Sequence, residues 1–403
     1  MSPMLRVHDP FRRGQLATAA LFFSLGFQYA TWAARLPAIK SHLDLTAAEV
    51  GLLLMATGIG AVATFPVVAV LMRRLGSRRL ALGSAACLAL LLLAMSALPD
   101  YPVALLVMLC DGALVGALNV SMNAQGAALE AVYERNAMAR LHAVFSAGSL
   151  VAALLASAMN ALTSTLVVHF AVAAALVLLL LGFARTGLLA QDRQPEEKKE
   201  KGGGRWSLPS RATLWLGAAM VFGTVTEGAM NDWSALYMKD VAKASAELAP
   251  MGIAVVSVMM VLARVFADSW RGRWGDGPIV RGGSALAAVG LALALLSGGA
   301  VPALIGFACV GLGIASVTPC VYVAAARNGS DALTVVATMG TTGLLAGPPV
   351  IGFIANASGL VWALGAVAAA AMLVSVCGTR IRWTPVGAEP DVAAEAGVPA
   401  GSA

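Results

Sequence analysis

The sequence predicts an all-α membrane protein of about twelve spanning helices, arranged as two six-helix halves. Three observations carry this expectation. The chain has 403 residues, of which 59% are hydrophobic and 12% charged; an ordinary soluble domain carries about 25% charged residues. Apolar runs of roughly 20 residues, the length that crosses a bilayer, recur from end to end. Two short basic turns, each with a central glycine, stand about two hundred residues apart.

The first six runs lie near 14–36, 49–72, 80–98, 102–127, 139–161 and 163–184. The second six lie near 212–238, 248–268, 280–298, 301–326, 332–355 and 358–378. The first run is followed by Trp32 and Arg35, where a signal peptide would need small residues. It therefore reads as a retained helix. Pro99-Asp100-Tyr101-Pro102 breaks the chain between the third and fourth runs, and the polar stretch Asn160–Ser164 separates the fifth from the sixth. Residues 191–211 are mixed in charge and carry three consecutive glycines. They read as a flexible cytoplasmic linker between an N-terminal half, 1–190, and a C-terminal half, 212–380. Residues 381–403 read as a disordered cytoplasmic tail.

The 27 Lys and Arg residues sort by loop. With the N-terminus inside, 22 fall on the inner side and only Lys40, Lys239 and Lys243 on the outer. Arg35 and Arg264 lie at run ends. That asymmetry predicts an even number of spans with both termini cytoplasmic. The +6 net charge is thereby a matter of topology, and no nucleic-acid partner is expected. All five cysteines lie inside apolar runs without a C-x-x-C pair, so neither a disulfide, a metal site nor a cofactor is implied. No Walker motif, H-E-x-x-H, G-x-S-x-G or His–Asp cluster occurs. An enzyme and a directly ATP-driven pump are both disfavoured.

The first basic turn holds Arg73, Arg74, Arg78 and Arg79 around Gly76. Each cation would cost roughly 2.5–3.5 kcal/mol in mid-bilayer, so the segment is a turn, and Gly76 permits its tight backbone. The second runs from Arg264 to Asp276 through Asp268, Arg271, Arg273 and Gly275. The first turn resembles the loop between helices two and three of the major facilitator superfamily, commonly G-x-x-x-D-R-x-G-R-R. Arg74, Gly76 and Arg78 fit; Arg73 stands at the usual Asp and Ala69 at the usual Gly. The resemblance implies two parallel halves around a midplane site that opens alternately to either side. It also implies that Arg74, Gly76 and Arg78, with Arg264, Asp268 and Arg273 in the second half, help to close the cytoplasmic ends. Weaker repeats pair Trp32 with Trp233, Gly116 with Gly313 and Gly148 with Gly343. The strings Trp32–Ile39, Ser121–Gly126, Glu227–Tyr237 and Gly347-Pro348-Pro349 resemble a bacterial inner-membrane branch of that superfamily, which includes a permease for an inositol-derived, rhizopine-type compound.

Ionisable residues inside spans are functional candidates by default. Glu227 lies deep in the seventh run and Asp111 in the fourth; Asp232 and Arg35 lie near the outer ends of runs seven and one. The first and seventh helices are equivalent in the two halves, so Arg35 is expected to pair with Asp232 or Glu227. Arg35, Asp232 and Trp233 form the predicted outer gate. Glu227 is the predicted proton-linked carboxyl, with Asp111 as the alternative. Gln28, Tyr29 and Trp32 cluster on one helix, a combination suited to polyols, sugars or flat amphipathic molecules, although a Trp there also fits an interfacial belt. Asn119, Asn123 and Asn231 complete the predicted pathway. Asp111, Leu118 and Gln125 repeat every seven residues and share a face, which either lines a cavity or bonds a neighbouring helix. His142 is read as an edge residue and His169 as packing. Gly343-x-x-x-Gly347-Pro348-Pro349-x-x-Gly352 is read as close helix packing with a kink.

These features predict a secondary transporter for a small organic solute. It would work by alternating access as a monomer in a bacterial cytoplasmic membrane, coupled to protons, with a sugar or polyol favoured. An efflux permease of the same fold and a transport-inactive sensor are the alternatives.

Overall fold

The computed structural model describes residues 9–135, 137–163, 165–190 and 209–383; the side chains of residues 139, 268 and 330 are outside the description. Nearly all of the predicted linker and tail therefore lies outside the described residues. Among the described residues there are fourteen helices: α1 Pro10–Ala33, α2 Leu36–His42, α3 Ala47–Ala63, α4 Phe65–Met95, α5 Tyr101–Tyr133, α6 Met138–Leu162, α7 Leu166–Ala184, α8 Arg211–Asp240, α9 Met251–Trp274, α10 Asp276–Ser297, α11 Ala300–Ile314, α12 Val317–Arg327, α13 Ser330–Ser358 and α14 Leu360–Arg380. No strand occurs among the described residues.

Local chemistry explains the breaks. Gly76, inside α4, has φ 74° and ψ 162°, a region open to glycine and strained for other residues. It divides α4 into two arms. Thr64 keeps near-helical angles between α3 and α4, and the ladder lapses beside Pro66, which has no N–H to give. So α3 and the first arm of α4 make one pass, and the second arm makes the next. The α11–α12 break stands just before Pro319 in the same way. Counted thus, the helices make twelve passes. Caps fix other starts: Asp100 accepts from the Val103 N–H at 2.9 Å, and Thr46 with Glu49 forms a capping box.

Among the described residues eight helices, with α11 and α12 taken as one, are long and apolar enough to cross a membrane, or nine if the bent pair α2–α3 is one span. The passes missing from that set include α1, α8 and α9. They carry Gln28, Tyr29, Glu227, Asn231, Asp232 and Arg264. The helices least suited to lipid are those that meet at the centre.

The two halves pack by the same device. At an offset of 199 residues, Gly112 of α5 presses on the Thr57 carbonyl of α3, and Gly311 of α11 presses on the Val256 carbonyl of α9. A Cβ on Gly311 would stand 2.6 Å from that oxygen, so a side chain would force the backbones apart. Gly148 and Gly343 pack against the helices that open each half, α1 at Phe23 and α8 at Val221. The expected match of Gly116 with Gly313 does not hold in space. Gly116 faces α3 at Ala61, whereas Gly313 faces α10 at Gly283.

One end of the molecule carries the arginine-rich turns and is called the basic end below. At the opposite end the halves are tied together. Lys40 pairs with Asp240 at 2.5 Å. Ser157 Oγ donates to the Glu247 carbonyl at 2.6 Å, and Asn160 Nδ2 to the Ala246 carbonyl at 2.7 Å. Gly51 of α3 lies against Gly352 of α13, where a Cβ on either would meet the other's Cα at about 3 Å. At the basic end four polar contacts lie within a half: Arg13 to the Thr186 carbonyl, Arg78 to the Arg185 carbonyl, Arg135 to Asp9, and Arg271 to Asp276.

Candidate functional site

Gln28 and Tyr29 are neighbours on α1, so their side chains leave the helix about 100° apart. One reaches α5 and the other α8. Gln28 Nε2 donates to Asp111 Oδ1 at 2.7 Å, and both residues are fully buried. The remaining acceptors, Gln28 Oε1 and Asp111 Oδ2, have no partner among the described residues. The Tyr29 hydroxyl donates to Asp232 Oδ1, which joins the two halves through a part-buried bond. Two intramembrane carboxyls thus hang from consecutive residues of one helix, each on a neutral donor.

A third carboxyl is held differently. Glu227 Oε1 lies 3.2 Å from Arg264 Nη2, and Arg264 Nη1 also donates to Ser146 Oγ of α6 in the other half. Arg264 is ten residues before the end of α9, about 15 Å by helix rise. It is therefore a mid-span residue. This corrects its expected place in the basic turn. The cation beside Glu227 is Arg264 and not the expected Arg35, so its surroundings are not simply apolar. The side chains of Arg264 and Glu227 keep 23% and 26% of their surface. A cation at that depth facing hydrocarbon is costly, so the open side belongs to the gap between the halves. His142, one helical turn before Ser146, is exposed and meets Phe22 edge-on.

The expected pair of Arg35 with Asp232 or Glu227 does not occur among the described residues. The chain turns at Arg35 (φ −100°, ψ 3°) to begin α2 ahead of Pro37, and the side chain swings toward α7. There Arg35 Nε donates to His169 Nδ1 at 3.1 Å, with Arg35 only 3% exposed. His169 is a partner for that arginine as well as packing, and its acceptor role fixes the proton on Nε2. Trp32 and Trp233 are fully buried, with indole N–H groups that lack a partner among the described residues. With Gln28 engaged by Asp111, the predicted polyol cluster presents no open polar face except at Tyr29.

The remaining predicted residues separate. Asn123 donates to the Asn119 carbonyl and side-chain oxygen at 2.8 and 2.7 Å, and Asn119 is exposed. Asn231 bonds back to the Glu227 carbonyl at 3.2 Å. Gln125 is structural: it donates to Ser77 Oγ at 2.6 Å and accepts from the Leu189 N–H at 3.0 Å. Arg74 is exposed beside Gly76, and Arg78 donates to the Arg185 carbonyl at 2.7 Å. Arg273 lies 5.8 Å from the Trp274 ring. The side chain of Asp268 is outside the described residues. No group of three or more His, Cys, Asp or Glu able to hold a metal occurs among the described residues.

Sequence reasoning missed Lys40, Asp240, Ser146 and His169. Nothing in spacing signals them, since each partner lies 100 or more residues away in the chain.

Comparison with known proteins agrees with this architecture. Residues 16–332 match the Major Facilitator Superfamily. An uncharacterised MFS-type transporter of Yersinia pestis is 33% identical over 366 residues, covering 88% of this chain and 92% of that protein. The membrane protein MosC of Rhizobium meliloti is 29% identical over 389 residues, covering 93% and 92%. Among solved structures, the nucleoside transporter NupG superposes with a TM-score of 0.67 at 15% identity, over 91% of this chain and 98% of its own. A bacterial homologue of the human lysosomal transporter Spinster, in an inward-facing and occupied conformation, gives 0.70 at 14% identity, over 94% and 99%. The chain is a transporter, not an enzyme, and it belongs to the Major Facilitator Superfamily.

Proposed function

We propose that this protein is a proton-coupled secondary transporter of a small polar organic solute, with both termini in the cytoplasm and the basic end facing inward. In this reading the described conformation is open toward the cytoplasm. The contacts across the opposite end support it. Each is worth no more than about 1 kcal/mol, and together they amount to a few kcal/mol. That is the scale of an equilibrium a ligand can reverse.

The observation that carries the coupling is the contact of Glu227 with Arg264, which reaches Ser146 in the other half. Protonation of Glu227 removes its charge from Arg264 and loosens a group that both halves share. Loss and gain of that proton on opposite sides of the membrane would tie solute movement to the proton gradient. Glu227→Gln keeps the shape and cannot titrate. In proteoliposomes this variant should lose pH-driven accumulation and keep solute exchange. Accumulation equal to that of the unaltered protein would remove Glu227 from the coupling role.

A second reading places the proton on Asp111. The unpartnered Gln28 Oε1 and Asp111 Oδ2 favour it, because an acid O–H on Asp111 would supply the donor both lack. Asp111→Asn then abolishes accumulation while Glu227→Gln spares it. The sugar or polyol preference has less support, since Gln28 and Trp32 are buried.

A further inference from the structure

We propose that Arg264, with Ser146 and His142 beside it, is the anchor for an anionic group on the transported solute, a carboxylate above all. Glu227 occupies that anchor in the empty carrier. This rests on the transport reading and adds the chemical class of the solute.

The anchor stands where α6, α8 and α9 converge. Ser146 and His142 share a face of α6 at a spacing of four residues. Glu227 comes from α8 and Arg264 from α9. Two kinds of donor meet, a guanidinium and a hydroxyl, and the His142 imidazole lies within electrostatic range of the guanidinium. The anion paired with Arg264 is itself a carboxylate, so the geometry that a solute carboxylate would need is already built. Planar guanidinium suits this task, since it offers paired N–H groups to the two oxygens.

The other intramembrane acids differ. Asp111 and Asp232 are fully or nearly buried and bonded to Gln28 and Tyr29. Neither is paired with a cation by a salt bridge among the described residues, so neither site offers positive charge to a ligand. Arg35 is buried against His169, away from the gap. Arg264 alone among the described mid-span cations is open to the gap between the halves.

Charge selects the ligand. If a solute hydroxyl displaced Glu227, the guanidinium would lose its counter-charge in a low-dielectric site. A solute carboxylate restores it. The displaced Glu227 then takes a proton, so one anion and one proton cross together without net charge. Other titratable groups within electrostatic range are His142 for Arg264 and Tyr29 for Glu227. Asp232 lies one turn along α8.

The test uses the full purified chain in detergent, with thermal unfolding as the readout. Gluconate, glucuronate and lactate are compared with sorbitol, glucose and glycerol. At least one carboxylate should raise the unfolding temperature by roughly 3 °C, and its uncharged counterpart should not. Arg264→Gln should abolish the shift and Arg264→Lys should weaken it. Glu227→Gln, which removes the competitor, should bring on the shift at about tenfold lower ligand concentration. The proposal is overturned if uncharged solutes stabilise equally, if no carboxylate stabilises, if Arg264→Lys leaves the shift undiminished, or if Glu227→Gln leaves the concentration unchanged. Binding is read without flux, so failure here leaves the transport reading intact. That reading fails only if proteoliposomes show no solute movement.

Discussion

Gly76 and Gly275 hold almost the same backbone, φ 74° and ψ 162° in one and φ 78° and ψ 165° in the other. Around that shared geometry the charges differ. In the second turn Arg271 clasps Asp276 through two bonds, at 2.7 and 3.3 Å. The first has no acid at all; Arg78 reaches the Arg185 carbonyl, Ser77 meets Gln125, and Arg73 and Arg74 remain exposed. The repeat between the halves therefore lies in backbone conformation, which a glycine dictates. The polar fastening is solved separately in each half, with an ion pair in one and carbonyl and amide bonds in the other. A charge-based search for the repeat is misled at Arg73, while the glycine amid each cluster of arginines marks it.

The strongest challenge to this comparison is to replace both glycines. Gly76→Val and Gly275→Val each force a β-branched residue into the left-handed region, at about 1–2 kcal/mol or more. Both should lower the unfolding temperature and cut transport by similar factors. Unequal effects would show that the turns are equivalent in shape only. Next in size is Asp276→Asn. It breaks a half-buried two-bond ion pair and should cost about 1–2 kcal/mol, read as thermal stability in detergent. Arg78→Gln should cost less, because the Arg185 carbonyl turns to water. A smaller effect is expected at the opposite end. Lys40→Ala removes one partly exposed ion pair, worth less than about 1 kcal/mol. It should change the balance of open and closed forms by up to about fivefold, seen as faster hydrogen exchange over residues 240–250. Smallest are the exposed arginines. Arg74→Ala and Arg73→Ala should each move stability by less than about 0.5 kcal/mol, with the larger loss of transport rate in Arg74→Ala.

The helical passes and their punctuation were legible because bilayer thickness, proline and glycine act locally. Gly76 and the Pro99–Pro102 stretch interrupt the chain where their own chemistry demands it, whereas the breaks beside Pro66 and Pro319 fall inside runs that the sequence reads as continuous. The Gly/Pro element of α13 was read as close packing, and Gly352 does meet Gly51. The polar centre was legible only as an inventory. Glu227, Asp111, Asp232 and Tyr29 are all engaged in intramembrane bonds, but their partners were not foreseen. Depth along a helix follows from counting residues. Direction around it does not, once a break intervenes. Arg35 shows this: Pro37 and the turn before it redirect the side chain toward α7, and no pattern within the first run encodes that turn. Arg264 was misplaced for a related reason. Its run ends in a cluster of arginines, and charge density drew it into the turn although helical rise keeps it near the middle.

The meeting of Gly51 with Gly352 has a kinetic consequence. Each glycine's Cα rests on the other helix's backbone, with no side chain from either glycine between them. A contact made of interdigitated side chains must unlock through rotamer changes before two helices can shift. Smooth backbone surfaces behave like a plain bearing and roll over one another with little friction. The α3–α13 crossing thus bears on how easily the two helices shift there as well as on how tightly that end stays shut. In Gly51→Ala the added methyl would stand 2.8 Å from the Pro348 carbonyl oxygen and 3.1 Å from the Gly352 Cα, so the two backbones would have to part and the bearing would run loose where this end is shut.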